Sequence, residues 1–396
     1  MKTIDDFNFN GKRVLIRVDY NVPRDDNLQI TDATRILRTE ATVKKILNDG
    51  GAVVLMSHLG RPKNGPEDKF SMRHIVGKLE EVFGKKVGFA ENCIGEDAFA
   101  QSTALQSGQI LLLENLRFHD EEKNGDAEFA AQLARHGDFY VNDAFGTAHR
   151  AHASTAIIAD HFPSNKAFGY VMAAEIENVG KVLSSNEKPV TAIIGGAKVS
   201  SKITIIENLL PRIDHLIIGG GMAYTFAKAQ GLNTGNSLVE EDYLDTALNI
   251  LEKAAQQQVE VHLPVDSVNG DSFSAAAQVS TTAMNEIQDG WMGLDVGPET
   301  QAKNREVLLK SKVILWNGPV GVFEMEPFAK GTISLGQAIV DATKNGAFSL
   351  VGGGDSVAAA KQFGMAESVS YVSTGGGAML EYLEGKTLPG IAAVLK

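Results

Sequence analysis

The stretch VLIRVDYNVP, residues 14–23, shows the pattern on which the fold of this chain rests. An unbroken apolar run leads into charged and polar side chains, which is typical of a parallel strand that helices cover on both faces. Similar runs, separated by helical patterns such as Ala33–Asn48, recur at Ala52–Ser57, Val87–Phe89, Ile110–Glu114, Phe139–Asn142, Thr191–Ile194, His215–Ile218, Glu260–Pro264, Val313–Trp316, Phe348–Val351 and Ser368–Val372. We therefore predict an α/β fold with two doubly wound parallel-sheet, Rossmann-like domains.

The chain is predicted to divide near its middle. Residues 1–169 form the first predicted domain and residues 185–379 the second. We interpret the helical pattern over residues 170–184, with the polar SSNEKP sequence that starts at Ser184, as a connecting helix and hinge. One more surface helix on the first sheet explains the same pattern equally well.

Composition limits the classes of function. The chain has 396 residues, 37 basic and 49 acidic, for a net charge of −12, which argues against broad binding to nucleic acid or membranes. No apolar stretch approaches the roughly 20 residues that span a bilayer, and the first residues do not resemble a secretory signal. A lone cysteine, Cys93, excludes an intramolecular disulfide and fits a reducing compartment, so we expect a cytoplasmic protein.

Polar side chains in the first half follow the predicted strands. Because ligands of open α/β sheets bind beyond the carboxyl ends of strands, these positions are candidates for a binding site. They are Asp19, Asn21, His58, Arg61 and Arg117, with Arg150 farther along and Arg35 at a helix start. Arginine donates in a planar fork that suits phosphate and carboxylate, so the set predicts a site for a phosphorylated acid. A single arginine near a loop usually forms a solvated surface ion pair, and it is the set at equivalent strand ends that favours a binding site.

Glycine clusters replace the arginines at the strand ends of the second half: GGAKVSSK from Gly195, GGG from Gly219, NGPVG from Asn317, GGGDS from Gly352 and TGGGA from Thr374. Glycine lets the backbone approach a nucleotide closely, although neither a P-loop nor a dinucleotide fingerprint is present. Lys198 and Lys202 are spaced i,i+4, and we predict that both lie on the first turns of a helix and form a cationic clamp. Asp355 is either a helix N-cap or a ligand for Mg²⁺ carried by the nucleotide. Glu324 could accept from ribose hydroxyls.

Taken in order, the motifs RVDYNVP, SHLGRP, ENLRF, DAFGTAHRAHAS, GGAKVSSK, WNGPVGVFE, GGGDS and STGGGA resemble those of the phosphoglycerate kinases over essentially the whole chain. The resemblance implies reversible phosphoryl transfer from 1,3-bisphosphoglycerate to ADP, giving 3-phosphoglycerate and ATP, with Mg²⁺. It implies a phosphoglycerate site at Asp19, Asn21, Arg35, His58, Arg61, Arg117 and Arg150. It implies a nucleotide site at Gly195, Gly196, Lys198, Lys202, Gly219, Gly220, Leu294, Asn317, Pro319, Glu324, Gly353, Gly354, Asp355 and Ser356, with Asp355 as the metal ligand.

The resemblance also implies a two-lobed enzyme that closes about a hinge, with residues 380–396 returning to the first domain. We expect a monomer. The catalytic hypothesis assigns charge stabilisation to Arg35, Lys198 and Lys202, assisted by the backbone amides of Gly376 and Gly377. Two alternatives stay open: a dinucleotide-dependent oxidoreductase, and a non-catalytic protein that binds a sugar phosphate or another anion.

Overall fold

The structure, a computed structural model, describes residues 1–63 and 65–396 as two compact units. Unit 1 comprises Met1–Glu177 together with Thr387–Lys396, and unit 2 comprises Asn178–Lys386. The division falls inside one helix, Tyr170–Leu183, which therefore belongs partly to each unit. The C-terminal segment that groups with unit 1 begins at Thr387 rather than at residue 380.

Unit 1 is built on a six-stranded sheet in which all neighbouring strands are parallel. The strands are β1 (Arg13–Val18), β2 (Ala52–Met56), β3 (Val87–Ala90), β4 (Ile110–Leu113), β5 (Phe139–Asp143) and β6 (Lys166–Phe168). Their order across the sheet is β3-β4-β2-β1-β5-β6. All residues of β2, β4 and β5 are buried, as the unbroken apolar runs predict for a sheet covered on both faces.

The helices of unit 1 pack against this sheet. They are α1 (Thr34–Arg38), α2 (Glu40–Asn48), α3 (Val76–Phe83), α4 (Glu96–Thr103), α5 (Asp120–Asn124) and α6 (Ala127–Ala134). The single helical pattern predicted over residues 33–48 is thus two helices that meet at Thr39. The buried Thr39 hydroxyl donates to the Ile36 carbonyl and hydrogen-bonds the Tyr20 hydroxyl at 2.8 Å. Such back-bonding of a threonine hydroxyl competes with the helical pattern and breaks the helix here.

Unit 2 contains a second six-stranded parallel sheet and a smaller antiparallel one. Its strands are β7 (Val190–Ile194), β8 (His215–Ile218), β9 (Glu260–His262), β10 (Asp266–Gly270), β11 (Val279–Ala283), β12 (Met292–Val296), β13 (Val313–Asn317), β14 (Phe348–Val351) and β15 (Tyr371–Val372). The parallel sheet has the order β15-β14-β13-β7-β8-β9, and the antiparallel sheet the order β11-β10-β12. The antiparallel strands are a correction to the prediction. They were missed because β10 and β11 carry polar residues such as Asp266, Asn269 and Thr281 rather than an apolar run.

The joining helix and the helices of unit 2 follow the same doubly wound scheme. They are α7 (Tyr170–Leu183), α8 (Ile203–Leu209), α9 (Met222–Ala229), α10 (Leu244–Gln256), α11 (Pro298–Lys310), α12 (Lys330–Lys344), α13 (Gly354–Gln362) and α14 (Gly377–Leu383). Trp316 on β13 is fully buried at the centre of the apolar core that β13 and β14 form with α12 and α13.

The last helix, α15 (Pro389–Leu395), packs in unit 1 through specific polar contacts. The Gly390 amide donates to the Ala148 carbonyl at 2.8 Å, and the buried Lys166 ammonium donates to the Ala393 carbonyl at 2.9 Å. Asn142 donates to the Gly390 carbonyl at 3.3 Å. A buried ammonium that satisfies main-chain carbonyls ties the end of the chain to β5 and β6.

Two expectations from composition can be compared with the structure. Among residues 1–63 and 65–396, none of the helices combines the length and the apolar character needed to cross a membrane. Cys93 is buried, and burial raises the pKa of its thiol, so it behaves as a small apolar side chain rather than a nucleophile.

Candidate functional site

The polar residues of unit 1 lie beyond the carboxyl ends of its parallel strands. Asp19 and Asn21 follow β1, His58 follows β2, Arg117 lies in the short 3₁₀ turn after β4, and Arg150 follows β5. The four strands β4, β2, β1 and β5 lie side by side in the sheet and are parallel, so their carboxyl ends open onto the same edge. This edge is where open α/β sheets bind ligands.

Hydrogen bonds join the loops after β1 and β2 to the first helix. The Arg35 guanidinium donates through Nη1 to Asp19 Oδ2 and to the Asn21 carbonyl, both at 3.0 Å. Asn21 Oδ1 accepts from the Gly60 amide at 2.8 Å, and the Gly60 carbonyl accepts from Arg117 Nη1 at 2.7 Å. Asn21 and Gly60 therefore link Arg35 to Arg117, although these arginines are far apart in sequence.

His58 shows that the cationic groups converge. The residue is 4% exposed, and its pKa is held well below the usual range by burial first and then by the positive charges of Arg17, Arg117, Arg35 and Arg150. Four guanidinium groups close enough to act on one imidazole form a single positive cluster. We call these four residues the arginine cluster.

Arg17 is a member of this cluster that the sequence analysis left out of the candidate set. It lies near the carboxyl end of β1, is 1% exposed, and its Nη2 lies 3.2 Å from His58 Nδ1. A guanidinium can only donate, so His58 Nδ1 accepts and the imidazole proton sits on Nε2. The neutral His58 is therefore prepared to donate through Nε2. The one sequence signal was a charged residue inside an apolar strand.

A buried carboxylate supports Arg17 from behind. Arg17 Nε donates to the Ser154 hydroxyl at 2.8 Å, and that hydroxyl donates to Glu122 Oε1 at 2.6 Å. Glu122, which is fully buried, also accepts from the Ser154 amide at 2.9 Å. A buried guanidinium needs hydrogen-bond partners, and this chain of contacts supplies Arg17 with them.

Arg117 has unused donor capacity. Burial, followed by repulsion from Arg17 and Arg150, lowers the pKa of its guanidinium to about 10. Its Nε is buried and has no hydrogen-bond partner in the described part of the chain. A buried donor without a partner, in a cluster where positive charges repel one another, provides a site that suits an anion.

The remaining predicted residues of unit 1 are less constrained. Arg150 Nε donates to His149 Nε2 at 3.1 Å, and its charge acts on His58. Arg61 is exposed, and within residues 1–63 and 65–396 no hydrogen bond or ion pair joins its side chain to the other candidates. The structure therefore brings together the predicted Asp19, Asn21, Arg35, His58, Arg117 and Arg150, and leaves Arg61 at the surface.

In unit 2 the glycine clusters allow strand ends to meet. β7 lies between β13 and β8, at the point where the strand order reverses. A Cβ on Gly195 would lie 2.1 Å from the Pro319 carbonyl oxygen, and one on Gly318, whose φ is +104°, would lie 2.2 Å from the Gly195 oxygen. Gly220, with φ +70°, likewise abuts the Gly196 backbone. Only glycine permits this approach, at the switch point where α/β sheets bind nucleotides.

A cavity of about 710 Å³ opens beside these strand ends. The predicted nucleotide residues that line it are Gly196, Gly220, Leu294, Pro319, Glu324 and Asp355. Sequence reasoning missed much of the apolar wall, including Tyr224, Leu238, Phe273 and Met292. Phe273, which is 63% exposed, lies between two of the unpredicted antiparallel strands, and no signal in the sequence marked it. The size and apolar lining suit a flat aromatic group.

The two lysines differ from the prediction. Helix α8 begins at Ile203, so Lys202 immediately precedes it and Lys198 lies in the turn before, exposed. The prediction that both lie on the first turns of a helix is therefore wrong, because the glycine-rich turn extends through VSSK. Lys202 Nζ donates to Asn317 Oδ1 at 2.8 Å, and burial lowers the pKa of Lys202 while Asp355 and Glu384 oppose that shift.

The GGGDS segment also differs in detail from the prediction that Asp355 is the helix N-cap, which was the alternative to a metal ligand. Helix α13 begins at Gly354 with Gly353 as its N-cap, so Asp355 lies in the first turn and is not the cap. Its carboxylate is exposed, lines the cavity and makes no hydrogen bond to another described residue. Ser356 is buried and its hydroxyl accepts from the Gly318 amide, so it supports the NGP turn.

The other glycines and Asn317 frame these turns. Gly219 packs against Val320, where a Cβ would lie 2.4 Å from Val320 Cγ1. Asn317 is buried and donates to the Gly352 carbonyl at 3.0 Å. Gly376, with φ +50°, precedes α14, which begins at Gly377.

Comparisons with known proteins agree in family. The family model described as phosphoglycerate kinase matches residues 4–386. A phosphoglycerate kinase from Porphyromonas gingivalis is 53% identical over 99% of both chains. The solved structure of phosphoglycerate kinase from Coxiella burnetii matches with a TM-score of 0.91 at 40% identity, covering 99% of this chain and 98% of that one. That from Pyrococcus horikoshii matches with a TM-score of 0.83 at 32% identity, covering 100% and 98%.

Proposed function

Since this chain belongs to the phosphoglycerate kinase family, we propose that the arginine cluster of unit 1 holds phosphoglycerate and that the glycine-lined cavity of unit 2 holds the nucleotide. The enzyme transfers a phosphoryl group reversibly between 1,3-bisphosphoglycerate and ADP, giving 3-phosphoglycerate and ATP. It is a glycolytic phosphotransferase whose acceptor is a carboxyl group, so the oxidoreductase and the non-catalytic alternatives fail.

The observation that carries the acceptor site is the electrostatic convergence on His58. Phosphoglycerate has two anionic ends, a phosphate and a carboxylate, and guanidinium forks bind both. In our proposal Arg117, with its unpartnered Nε, and Arg150 bind the phosphate, with Arg61 contributing from the surface. His58 donates from Nε2, while Asp19 and Asn21 position Arg35 and accept from the substrate hydroxyl.

For the nucleotide we propose that the apolar wall formed by Leu294 and its neighbours takes the base, and that Glu324 accepts from the ribose. In this proposal the phosphates are bound by glycine backbone, by one turn and by two lysines. The glycines are Gly195, Gly196, Gly219, Gly220, Gly353 and Gly354, the turn is that of Asn317 and Pro319, and the lysines are Lys198 and Lys202. Ser356 contributes through its support of the NGP turn.

The chemistry calls for positioning and positive charge. The attacking carboxylate is already ionised at neutral pH, since a carboxyl pKa lies near 4, so no general base is needed. We propose that Arg35 stabilises the attacking carboxylate and the oxygens of the transferring group, and that Lys202 leaves Asn317 to stabilise the same group. Lys198 and the amides of Gly376 and Gly377 assist. A partly buried ammonium with a lowered pKa is only weakly hydrated and readily binds phosphate oxygens.

Mg²⁺ fits the residues present. Asp355 offers a free carboxylate on the cavity wall, and Mg²⁺ in nucleotide sites takes one or two protein carboxylates together with phosphate oxygens. When bound, the ion would neutralise nucleotide phosphate charge. We propose Asp355 as its protein ligand.

Transfer requires ligands carried by different units to meet and water to be excluded, so we propose hinge closure as a step of the cycle. We propose three functional divisions: residues 1–169, the helix 170–184 and residues 185–386, with Thr387–Lys396 rather than residues 380–396 belonging to the first. We also propose that the enzyme works as a cytoplasmic monomer with no nucleic-acid or membrane partner. The acidic net charge of −12 supports the absence of nucleic-acid and membrane partners, and a single cysteine is compatible with a reducing compartment.

The site assignments are tested by separating binding from turnover. Calorimetric titration with 3-phosphoglycerate alone should lose affinity in Arg117→Ala and stay unchanged in Asp355→Asn. Titration with MgADP should show the opposite pattern. Consumption of ATP with 3-phosphoglycerate, coupled to a downstream reductase, reports turnover. If Arg117→Ala binds 3-phosphoglycerate as well as the parent does, the proposed acceptor site is wrong.

A further inference from the structure

A second group of ligand-type side chains lies in unit 2 at the edge of the parallel sheet. His215 begins β8, and Glu260 and His262 lie on β9, the outermost strand. In the parallel pairing, Glu260 is in register with His215, and His262 with Ile217. Side chains alternate between the two faces of a strand, and paired residues share a face. The three side chains therefore project from one face of the sheet.

The distances between their ligand atoms suit a common metal ion. His215 Nδ1 lies 3.1 Å from His262 Nε2 and 3.3 Å from Glu260 Oε2. His262 Nε2 lies 3.9 Å from Glu260 Oε1. Nitrogen or oxygen ligands that are 2.0–2.1 Å from a tetrahedral ion stand about 3.3 Å apart. The longest of the three distances involves Glu260, whose side chain is 68% exposed and free to rotate towards the histidines.

The side chains of His215 and His262 are 21% and 16% exposed, so the nitrogens are reachable from solvent while the rings are held by the sheet.

We propose that His215, Glu260 and His262 form a binding site for a transition-metal ion of the Zn²⁺ class, with water completing the coordination. Two imidazoles and one carboxylate suit Zn²⁺, as well as Ni²⁺ and Cu²⁺, whereas Mg²⁺ prefers oxygen ligands throughout. The ligand set of this site therefore differs from that of the proposed Mg²⁺ site at Asp355, which offers only oxygen ligands.

The position of this site indicates a structural role. His215 and Glu260 are the first residues of β8 and β9, while the candidate nucleotide residues Gly219 and Gly220 follow the opposite end of β8. An ion bound here ties the edge strand β9 to β8 and stabilises unit 2 without touching the nucleotide cavity. An edge strand has only one neighbour, so a second connection stabilises it more than it would a central strand.

The probes for this site are Zn²⁺ and Co²⁺ added to metal-free enzyme without nucleotide. We expect one equivalent of Co²⁺ to give the visible absorption of a low-coordinate site, and Zn²⁺ to displace it and raise the melting temperature. Glu260→Gln, which is exposed and nearly isosteric, and His262→Asn should each weaken Zn²⁺ binding by more than about 100-fold, since even outer-shell partners are worth about 10–100-fold. Circular dichroism confirms that each variant folds.

The matched control is His74→Asn. His74 forms a comparable pair with the exposed Asp68, its Nε2 being 3.3 Å from Asp68 Oδ2, in unit 1. This variant should bind Zn²⁺ as the parent does. The proposal is overturned if the parent binds no stoichiometric Zn²⁺. It is equally overturned if folded Glu260→Gln and His262→Asn bind Zn²⁺ with parental affinity, because the metal would then occupy another site.

Discussion

Arg35→Ala should abolish most of the activity while leaving the fold intact. The contacts and the proposed role of Arg35 give the expected losses of folding free energy and of kcat. Arg35 pairs with Asp19 at 3.0 Å, with side chains 34% and 14% exposed, and also donates to the Asn21 carbonyl at 3.0 Å. A partly exposed ion pair stabilises by about 0.2–1 kcal/mol and a hydrogen bond by about 0.5–1.5 kcal/mol, so the free energy of unfolding should fall by about 1–2 kcal/mol. Loss of a group that stabilises transition-state charge costs about 2.7–4 kcal/mol, or about 10²–10³-fold in kcat.

The assay couples ATP and 3-phosphoglycerate consumption to a downstream reductase, with urea unfolding of the same preparations measured in parallel. Arg13→Ala is the matched control. Arg13 pairs with Asp138 at 3.1 Å in the same unit, with side chains 24% and 39% exposed. It should lose a similar amount of stability and keep its kcat. The reasoning is refuted if Arg35→Ala retains kcat within about threefold of the parent. It is also refuted if both variants lose activity equally, since the effect would then come from stability alone.

Four further predictions concern the rest of the molecule. Lys202→Ala should lower kcat by about 10²–10³-fold in the coupled assay. Its affinity for 3-phosphoglycerate should stay unchanged, since Lys202 lies in unit 2. A parental kcat would remove Lys202 from the mechanism. Gly195→Ala should lower the free energy of unfolding by about 1–3 kcal/mol in urea, because its Cβ would lie 2.1 Å from the Pro319 oxygen. Gly180→Ala in α7, where a Cβ would have no described atom beyond its own helix within 4 Å, is the control and should be neutral or stabilising. Equal effects of the two substitutions would contradict the packing argument. Burial raises the pKa of Asp295 to about 7, so the folded state binds this proton more tightly than the unfolded chain. The free energy of unfolding should therefore fall as pH rises from about 4 to 7, with this group contributing at most about 1.4 kcal/mol per pH unit. Asp295→Asn should lack that component between pH 5 and 7, and a pH profile parallel to the parent's would disprove the shift. In small-angle scattering, the radius of gyration should fall fully only when phosphoglycerate and nucleotide are both present, and the same compactness for free and doubly liganded enzyme would contradict hinge closure.

Several features of the site were predicted because they depend on local sequence. Asp19, Asn21 and His58 follow apolar runs, and the ends of parallel strands meet at one edge of a sheet wherever the strands lie in the order. The glycine clusters containing Gly195, Gly220 and Gly318 were predicted to let the backbone approach a nucleotide. The structure shows a different reason for them, which is that strand ends in unit 2 contact one another too closely for a Cβ. Ordered motifs then identified the family, which single motifs could not.

Other features escaped because they depend on which segments become neighbours. Arg17 reads as one charge in an apolar strand, and its role appears only with His58 on β2 and with Ser154 and Glu122 from later in the chain. Phe273 follows β10 and lines the cavity, and the sequence did not show this because β10 and β11 are polar strands that pair only in the tertiary structure. The position of Lys202 was misjudged because periodicity does not show where a glycine-rich turn ends and a helix begins.

The amino-acid sequence by itself determined the class of fold, the two parallel sheets and the residue types placed at their strand ends, since apolar periodicity reflects burial one segment at a time. The tertiary structure alone decided which charges share a site and which stay at the surface. It also brought His215 within reach of Glu260 and His262. The return of α15 to unit 1 was implied by the family resemblance and by no local pattern. The physical reason is that strand order and register bring together residues that are distant along the chain. A local sequence pattern does not specify which distant segments pair.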